Sequence, residues 1–314
     1  MKLKKPNFWD YKKPNILSFI LYPISKIIEI VTKINFTKKK KFNKIKTICV
    51  GNIYVGGTGK TSLAIELKKI LDEKKIKSCF IKKFYSDQFD ELNLLEKFGK
   101  VFLNKSRLKA LQHAEIENYE VAIFDDGLQD KTILYDISFA CFNKKNFIGN
   151  GFLIPAGPLR ENLENLNRYK NIFLIGNYEN VDLMIESLLK KGEELNFFEA
   201  EYVPLDINNF DLKSPYIVFS GIGNHGTFID MLHQYKFNIV QDLEFPDHYR
   251  YSTNDIEKII NIAKKNNAKI LTTEKDFLRL GSMSQEKIEF MKIHLRIKDI
   301  KRVKEKLNII NEKF

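Results

Sequence analysis

The feature that most constrains this fold is a glycine-rich stretch at residues 46–67, with the sequence KTICVGNIYVGGTGKTSLAIEL. Its apolar start predicts a buried strand, and its end shows apolar residues at helical spacing. Between them lies a turn with three glycines, followed by Lys60 and Thr61. A strand, a glycine turn and a helix in this order form a phosphate-binding loop, because backbone N–H groups and the positive end of the helix dipole face the bound anion.

The stretch predicts a nucleoside triphosphate site, in which Lys60 reaches the β- and γ-phosphates and the Thr61 hydroxyl binds Mg²⁺. The strict pattern G-x-x-x-x-G-K-[ST] has glycine where this chain has Tyr54, but the strand and helix on either side support the same interpretation. The predicted phosphate contacts are Gly56, Gly57, Thr58, Gly59, Lys60, Thr61 and Ser62.

With 314 residues, the chain is long enough for two α/β domains. We expect a P-loop NTPase-like parallel sheet with helices on both faces, a smaller C-terminal α/β domain and an N-terminal membrane-contacting helix. The expected divisions are an arm at residues 1–46, a P-loop core at 47–205 and the smaller domain at 206–314. Cys49, Cys79 and Cys141 each lie in an apolar run and are predicted to be buried free thiols.

The N-terminal arm carries most of the positive charge. Residues 1–46 contain thirteen lysines against Asp10 and Glu29, which accounts for +11 of the formal net charge of +12. Residues 16–31 are strongly apolar, yet only twelve uncharged residues separate Lys13 from Lys26, and a spanning helix needs about 20. This pattern predicts a helix lying in an anionic membrane surface. A first helix packed into the core and a nucleic-acid-binding arm are the alternatives.

Two acidic residues follow the buried strand predicted at residues 121–124. Asp125 and Asp126 open the segment DDGLQ, and a carboxylate at the end of a strand beside the P-loop strand is expected to hold Mg²⁺. Adjacent aspartates repel each other unless a cation or a donor compensates them. An ordinary Asp-Asp-Gly turn is the alternative.

Residues 149–161, GNGFLIPAGPLRE, are too rich in glycine and proline for a regular element and too apolar for a solvated linker. An ordered loop of this kind often carries function. Arg160 is a candidate to stabilise transition-state charge and Glu161 a candidate metal ligand, with a surface ion pair as the alternative. In the smaller domain, His248 follows an aspartate in a turn and is a candidate acid, base or orienting residue; a histidine without a special role is the alternative.

Together these segments resemble the tetraacyldisaccharide 4′-kinase family, the lipid A kinases of Gram-negative envelopes. The matching segments occur in the family's order, and GNGFLIPAGPLRE is the most specific of them. The family also lacks glycine at the position of Tyr54. The segments are VGNIYVGGTGKT (50–61), DDGLQ (125–129), GNGFLIPAGPLRE (149–161), FSGIGN (219–224), FPDHY (245–249) and TTEKD (272–276).

The resemblance implies ATP-dependent phosphorylation of the 4′-hydroxyl of a tetraacylated glucosamine disaccharide 1-phosphate. It also implies a peripheral or monotopic enzyme at the cytoplasmic face of the inner membrane. We expect a monomer that binds an acylated disaccharide lipid and no nucleic acid. The Mg²⁺ contacts implied are Thr61, Asp125, Asp126, Gln129 and Glu161.

The family's catalytic aspartate lies in a Gly-Asp-Glu segment after the second strand, which matches residues 89–91 here. Asp90 therefore inherits the general-base role, with His248 as its partner and Arg160 stabilising the transferring group. Phe89 replaces the family's glycine, and the basic, glycine-rich run before it is shortened to residues 82–87, which leaves Asp87 as the alternative base. Asp130 also stands where the family often has histidine.

The rival class is a membrane-associated P-loop GTPase switch or metallochaperone. Such proteins usually carry an Asn-Lys-x-Asp guanine motif. The nearest string, residues 143–146, reads NKKN and lacks the aspartate, and the Glu-Lys-Asp of residues 274–276 is out of register. A non-catalytic nucleotide-binding scaffold is the other alternative, and the intact Lys60, Asp125 and Asp126 argue against it.

Overall fold

The computed structural model describes residues 5–34, 40–42, 44–84, 89–177, 181–189, 194–247, 249–282 and 285–308, without the side chains of residues 32–34, 89 and 90. The chain forms two compact units. The first comprises Met1–Ile175, Asn180–Ala200 and Ile297–Phe314, and the second Gly176–Glu179 and Glu201–Arg296. This division differs from the expected one, because the arm and the C-terminal residues both group with the P-loop core.

Twelve strands lie in the described residues, and the two sheets they form are largely parallel. They are β1 (Lys46–Gly51), β2 (Ser78–Lys83), β3 (Val101–Asn104), β4 (Val121–Asp125), β5 (Ile137–Asn143), β6 (Lys170–Ile175), β7 (Asn196–Pro204), β8 (Pro215–Ser220), β9 (Asn238–Glu244), β10 (Lys269–Thr273), β11 (Glu289–Met291) and β12 (Ile293–Ile297).

Ten α-helices lie in the same part of the chain, and short 3₁₀ turns accompany them. The helices are α1 (Ile16–Ile34), α2 (Lys60–Glu73), α3 (Phe89–Glu96), α4 (Arg107–Ile116), α5 (Leu166–Tyr169), α6 (Val181–Leu189), α7 (His225–Gln234), α8 (Thr253–Lys265), α9 (Glu274–Arg279) and α10 (Ile300–Asn308). The 3₁₀ turns are Asn7–Asp10, Leu163–Asn165, Ile207–Asn209 and Gln285–Lys287.

The phosphate loop follows a central strand of an eight-stranded sheet with the order β12-β7-β6-β5-β1-β4-β2-β3. β1 lies between β4 and β5 and is parallel to both. Because the carboxyl ends of parallel strands meet at one edge of a sheet, this order gathers the ends of β1, β2 and β4 beside the phosphate loop. Val50 pairs with Asp125 in that register. The predicted α/β class with a parallel sheet is confirmed.

The second unit contains a four-stranded parallel sheet with the order β11-β10-β8-β9. Along β8, successive side chains enter different buried clusters. Tyr216 and Val218 belong to one cluster, and Ile217 and Phe219 to the other. Both faces of this sheet are therefore covered, as parallel sheets require.

The three cysteines are free and buried in the first unit, as predicted. Burial raises the pKa of the Cys79 thiol to about 12. A thiol with so high a pKa stays protonated at neutral pH and behaves as a small apolar side chain.

Candidate active site

The phosphate loop has backbone angles that suit glycine. Gly59, directly before α2, has φ 81° and ψ 10°, and Gly56 has φ 140°. The Thr58 hydroxyl is fully buried and makes no hydrogen bond within the described part of the chain. Since buried hydroxyls are normally hydrogen-bonded, this orphan donor fits an anion held in the loop.

Tyr54, at the position of the missing glycine, has a buried side chain that links the phosphate loop to the N-terminal segment. Its hydroxyl donates a hydrogen bond to the Asp10 carboxylate and accepts one from Lys5 at 2.9 Å. Its backbone forms a β-bridge with Leu159. The side-chain amide of Asn52 donates to its carbonyl at 2.6 Å. Tyr54 therefore fixes the phosphate loop against the N-terminal segment and against Leu159.

Thr61 and Asp125 fit a Mg²⁺ site. The Thr61 hydroxyl lies 3.3 and 3.4 Å from the two carboxylate oxygens of Asp125, which is 1% exposed at the end of β4. Mg²⁺ takes one or two protein oxygens of these types and leaves its other positions to water and substrate phosphates. The described residues contain no group of three or more His, Cys, Asp or Glu side chains that could hold a metal ion.

Lys82, near the end of β2, also contacts Asp125. Its Nζ atom lies 2.6 Å from the Asp125 carboxylate and 2.7 Å from that of Glu91 in α3, and the residue is 3% exposed. Burial alone would lower the pKa of Lys82, but the charges of Asp125 and Glu91 raise it above its ordinary value. Lys82 was not among the site residues predicted from the sequence. Its sequence signal is weak, because Lys82 is one of two adjacent lysines at the carboxyl end of β2, after the apolar residues 79–81.

Asp126 is held by basic side chains. Arg160 Nη1 donates to its carboxylate at 3.1 and 3.4 Å, and Arg107 donates to its backbone carbonyl. Burial would raise the pKa of this carboxyl, but Lys60, Arg160 and Arg107 together lower it below its ordinary value. The cations that two adjacent aspartates require are therefore present, with Lys82 on Asp125 and Arg160 on Asp126. Arg107 is a second site residue that was not predicted from the sequence.

Gln129 and Glu161 lie together in a neighbouring network. The Gln129 amide donates to Glu161 at 2.7 Å and accepts from Arg160 at 3.3 Å. Tyr169 and Asn165 also donate to the Glu161 carboxylate, at 2.9 and 3.1 Å. The structure thus joins Arg160, Asp126, Gln129 and Glu161 through direct contacts, while Thr61 contacts Asp125.

Residues 149–161 contact the phosphate loop at their C-terminal end. Arg160 N–H donates to the Ile53 carbonyl at 2.6 Å, and Val55 N–H donates to the Pro158 carbonyl at 2.8 Å. Gly157 is required by close packing, since a Cβ atom there would lie 2.1 Å from Asn150 Oδ1. The loop is therefore ordered, and it orients Arg160 and Glu161.

The same loop contacts α1 through an unusual face of that helix. Ser18, Ser25 and Glu29 are buried and share one face at helical spacing. Ser18 Oγ accepts from the Asn150 side chain at 2.9 Å, and Ser25 Oγ donates to the Leu153 carbonyl at 2.9 Å. Apolar residues on the rest of the helix are exposed: Ile16, Leu17, Phe19, Ile20, Ile24, Ile27, Ile28, Ile30 and Val31. The polar face is inside and the apolar face outside.

Among the candidate acid–base residues, the structure describes only the backbone of Asp90. Asp90 lies in the first turn of α3, but its side chain falls outside the described atoms, and Asp87 and His248 lie outside the described residues. Their roles remain predictions. None of the helices in the described part of the chain has the length and apolarity needed to cross a bilayer.

The segment TTEKD stabilises the second unit internally. Asp276 is fully buried and accepts hydrogen bonds from Gly221 N–H, the Tyr251 hydroxyl and Arg279, each at 3.0 Å, and from Thr273 at 2.6 Å. It therefore ties the segment GIGN at the end of β8 to α9.

Comparison with known proteins points to one family. The family model of the tetraacyldisaccharide-1-P 4′-kinases matches residues 16–95 and 86–311. The chain is 54% identical to the tetraacyldisaccharide 4′-kinase of Pelagibacter ubique over 313 residues, covering 100% of both chains. It is 33% identical to the enzyme of that name from Rickettsia canadensis, covering 100% of this chain and 97% of the relative.

The fold also matches a solved structure. A crystal structure described as LpxK from Aquifex aeolicus in complex with ATP superimposes with a TM-score of 0.65. The match covers 94% of this chain and 99% of that one, at 24% identity. At this identity the likeness establishes a shared fold.

Proposed function

The chain belongs to the tetraacyldisaccharide-1-P 4′-kinase family, and we propose from this that it transfers the γ-phosphoryl group of ATP to the 4′-hydroxyl of an acylated disaccharide 1-phosphate. The observation that carries the proposal is the placement of the Thr61 hydroxyl beside the Asp125 carboxylate at the end of the phosphate loop. Phosphoryl transfer depends on positioning and charge neutralisation more than on covalent chemistry, and these are the properties this site supplies.

In the proposed reaction, the backbone N–H groups of residues 56–62 hold the ATP phosphates and Lys60 neutralises the β- and γ-phosphates. Thr61 and Asp125 would hold Mg²⁺, which neutralises charge on the phosphates and orients them for transfer. Asp126, Gln129 and Glu161 are proposed as further contacts to the metal or its water. Asp126 and Gln129 contact Arg160 directly, and Glu161 contacts Gln129, which supports a shared role at the γ-phosphate.

Arg160 would stabilise the negative charge that spreads over the transferring group. It is anchored by Asp126 at 3.1 Å, so its guanidinium is held in position before substrate binds. Asp90 would accept the proton of the 4′-hydroxyl, and His248 would orient Asp90. The support for Asp90 is its match to the family's motif and its place in the first turn of α3.

We propose that the enzyme acts as a monomer resting on the cytoplasmic face of the inner membrane. The exposed apolar face of α1 and the lysines around it support this, because an amphipathic helix with basic flanks binds an anionic lipid surface. An acylated substrate keeps its chains in the bilayer, so the enzyme has to reach the sugar from that surface.

The proposal is tested by measuring the transfer of radiolabelled γ-phosphate from ATP to tetraacyldisaccharide 1-phosphate in detergent micelles. We expect transfer by the wild type and a loss of about 100-fold or more in Lys60→Ala and Asp90→Ala. Asp87→Ala and Lys69→Ala, the latter in the same helix as Lys60, should retain activity. If Asp87→Ala loses transfer instead of Asp90→Ala, the base is Asp87. No transfer by the wild type, together with preference for GTP, would support the GTPase switch.

A further inference from the structure

Lys82 is a buried lysine at a place where the proposed reaction needs negative charge. β2 is parallel to β4 with Ile81 paired to Phe124, so Lys82 lies beside Asp125 at the carboxyl edge of the sheet. Lysine is almost never fully buried unless it is paired, because removing its charge from water is costly. Here it is 3% exposed and contacts two carboxylates.

Asp125 carries the first of these carboxylates, and it is the one expected to bind the metal. Asp125 is 1% exposed and lies 3.3 Å from the Thr61 hydroxyl, and the Lys82 ammonium lies 2.6 Å from one of its oxygens. A cation at this distance neutralises much of the carboxylate's charge. A second cation that approaches the same carboxylate is then bound more weakly, because it meets like charge on Lys82.

The second carboxylate belongs to the helix that carries the candidate base. Glu91 directly follows Asp90 in the first turn of α3, and its carboxylate lies 2.7 Å from Lys82 Nζ. Lys82 therefore connects the end of β4 to the start of α3. When Asp125 engages another cation, Glu91 remains as a partner that keeps the ammonium paired.

We propose that Lys82 is a positioning residue that serves as a tethered counterion for Asp125 until ATP and its metal bind, and that it holds the first turn of α3 through Glu91. The inference rests on the proposed function only in assigning Asp125 to the metal and Asp90 to the acceptor. Its consequence is that the nucleotide-free enzyme binds free divalent cations weakly, so the metal enters together with ATP.

The test is the binding of Mn²⁺, a spectroscopic probe for Mg²⁺, to the nucleotide-free full-length enzyme, followed by electron paramagnetic resonance. Lys82→Met should bind Mn²⁺ about tenfold or more tightly than the wild type, because Asp125 loses its internal cation. Lys82→Arg should bind as weakly as the wild type. Adding Asp125→Asn to Lys82→Met should abolish the gain.

Lys144→Met is the matched control. Lys144 is also a buried lysine just after a strand of this sheet, and it is paired with Glu199 at 2.8 Å. This variant should leave Mn²⁺ binding unchanged. Equal Mn²⁺ affinity in the wild type and Lys82→Met would overturn the counterion role. Because no phosphate transfer is measured, this outcome is independent of whether the enzyme phosphorylates the disaccharide.

Two further variants keep the proposal testable. If Lys82→Met alone does not fold, Lys82→Met with Glu91→Gln has one fewer uncompensated carboxylate and takes its place in the Mn²⁺ experiment.

Glu91→Gln alone keeps the counterion but weakens the link to α3, so kcat for transfer should fall about tenfold with the KM for ATP unchanged. Unchanged kcat in Glu91→Gln would overturn the tether.

Discussion

Asp126 shows how single side chains set the charge of this site. Its backbone has a φ of 64°, a conformation that aspartate tolerates better than most residues, and it turns the carboxylate toward Arg160. Lys60, Arg160 and Arg107 outweigh the effect of burial and lower the pKa of the carboxyl. The charged form of Asp126 therefore stabilises the folded protein.

This stabilisation depends on pH. A carboxyl whose pKa is lowered in the folded state stabilises the protein at pH values above 3.8, the ordinary pKa of the group. This contribution is lost as the pH falls through the pKa of the folded state. We expect Asp126→Asn to be about 1 kcal/mol less stable than the wild type at neutral pH, and the difference to shrink below about pH 3.8. Urea unfolding over a pH series measures it. A difference that stays constant into acid would contradict this assignment.

At the scale of the element, α1 buries a polar face and exposes an apolar one, which is the reverse of the usual arrangement. Ser18, Ser25 and Glu29 form a buried polar stripe, in which Ser18 and Ser25 bind the loop at residues 149–161 and Glu29 accepts from Asn162 just after it. The apolar residues of the helix are exposed. A large exposed apolar surface of this kind marks an interaction site. The apolar composition and the flanking lysines predicted a helix at a membrane surface, but which face contacts the protein depends on the partners that the loop provides.

The exposed face gives a direct prediction. Ile20 and Ile27 are 64% and 61% exposed, and Ile20→Glu with Ile27→Glu should lower binding to vesicles of phosphatidylethanolamine and phosphatidylglycerol about tenfold or more. Cosedimentation with the vesicles is the measurement. Ile116→Glu is the matched control, because Ile116 is 76% exposed on α4. An equal loss in the control, or no loss in the double variant, would argue against a lipid-facing α1.

At the scale of the whole molecule, the chain leaves the first unit after Ala200 and returns to it at Ile297. α10 packs into that unit with Val303 fully buried and Leu307 1% exposed. The expected boundary near residue 205 placed all later residues in one domain. No strand or helix was predicted over β7, β11, β12 and α10, because short or half-buried strands show weak alternation and the sequence of α10 does not indicate which segment it packs against.

The packing of α10 into the first unit predicts that a single substitution in this helix strongly lowers the stability of that unit. Val303→Asp should place a charge in the core of the first unit and destabilise it by several kcal/mol. In a chain of this size, this lowers the melting temperature by about 10 °C. Ile300→Asp, at an exposed position of the same helix, should have little effect. Thermal unfolding of both variants measures the contrast, and equal melting temperatures would contradict the packing of α10.

Much of the site follows from local sequence. The phosphate loop, Asp125 at the end of its strand and the loop at residues 149–161 were all recognised from residue types and spacing. Contacts between distant segments were not. Tyr54 was noted as a departure from a pattern, but its bonds to Lys5 and Asp10 depend on how the N-terminal segment packs.

The sequence by itself determined the α/β class and the kinase family and predicted the nucleotide site, because each rests on short motifs whose backbone geometry is local. Only the tertiary structure decided which charges meet. It placed Lys82 between Asp125 and Glu91 and Arg160 on Asp126, and it turned the polar stripe of α1 inward. The physical reason is that strand order and loop packing bring together residues far apart in the chain. The periodicity of one segment does not indicate which distant residues will lie beside it.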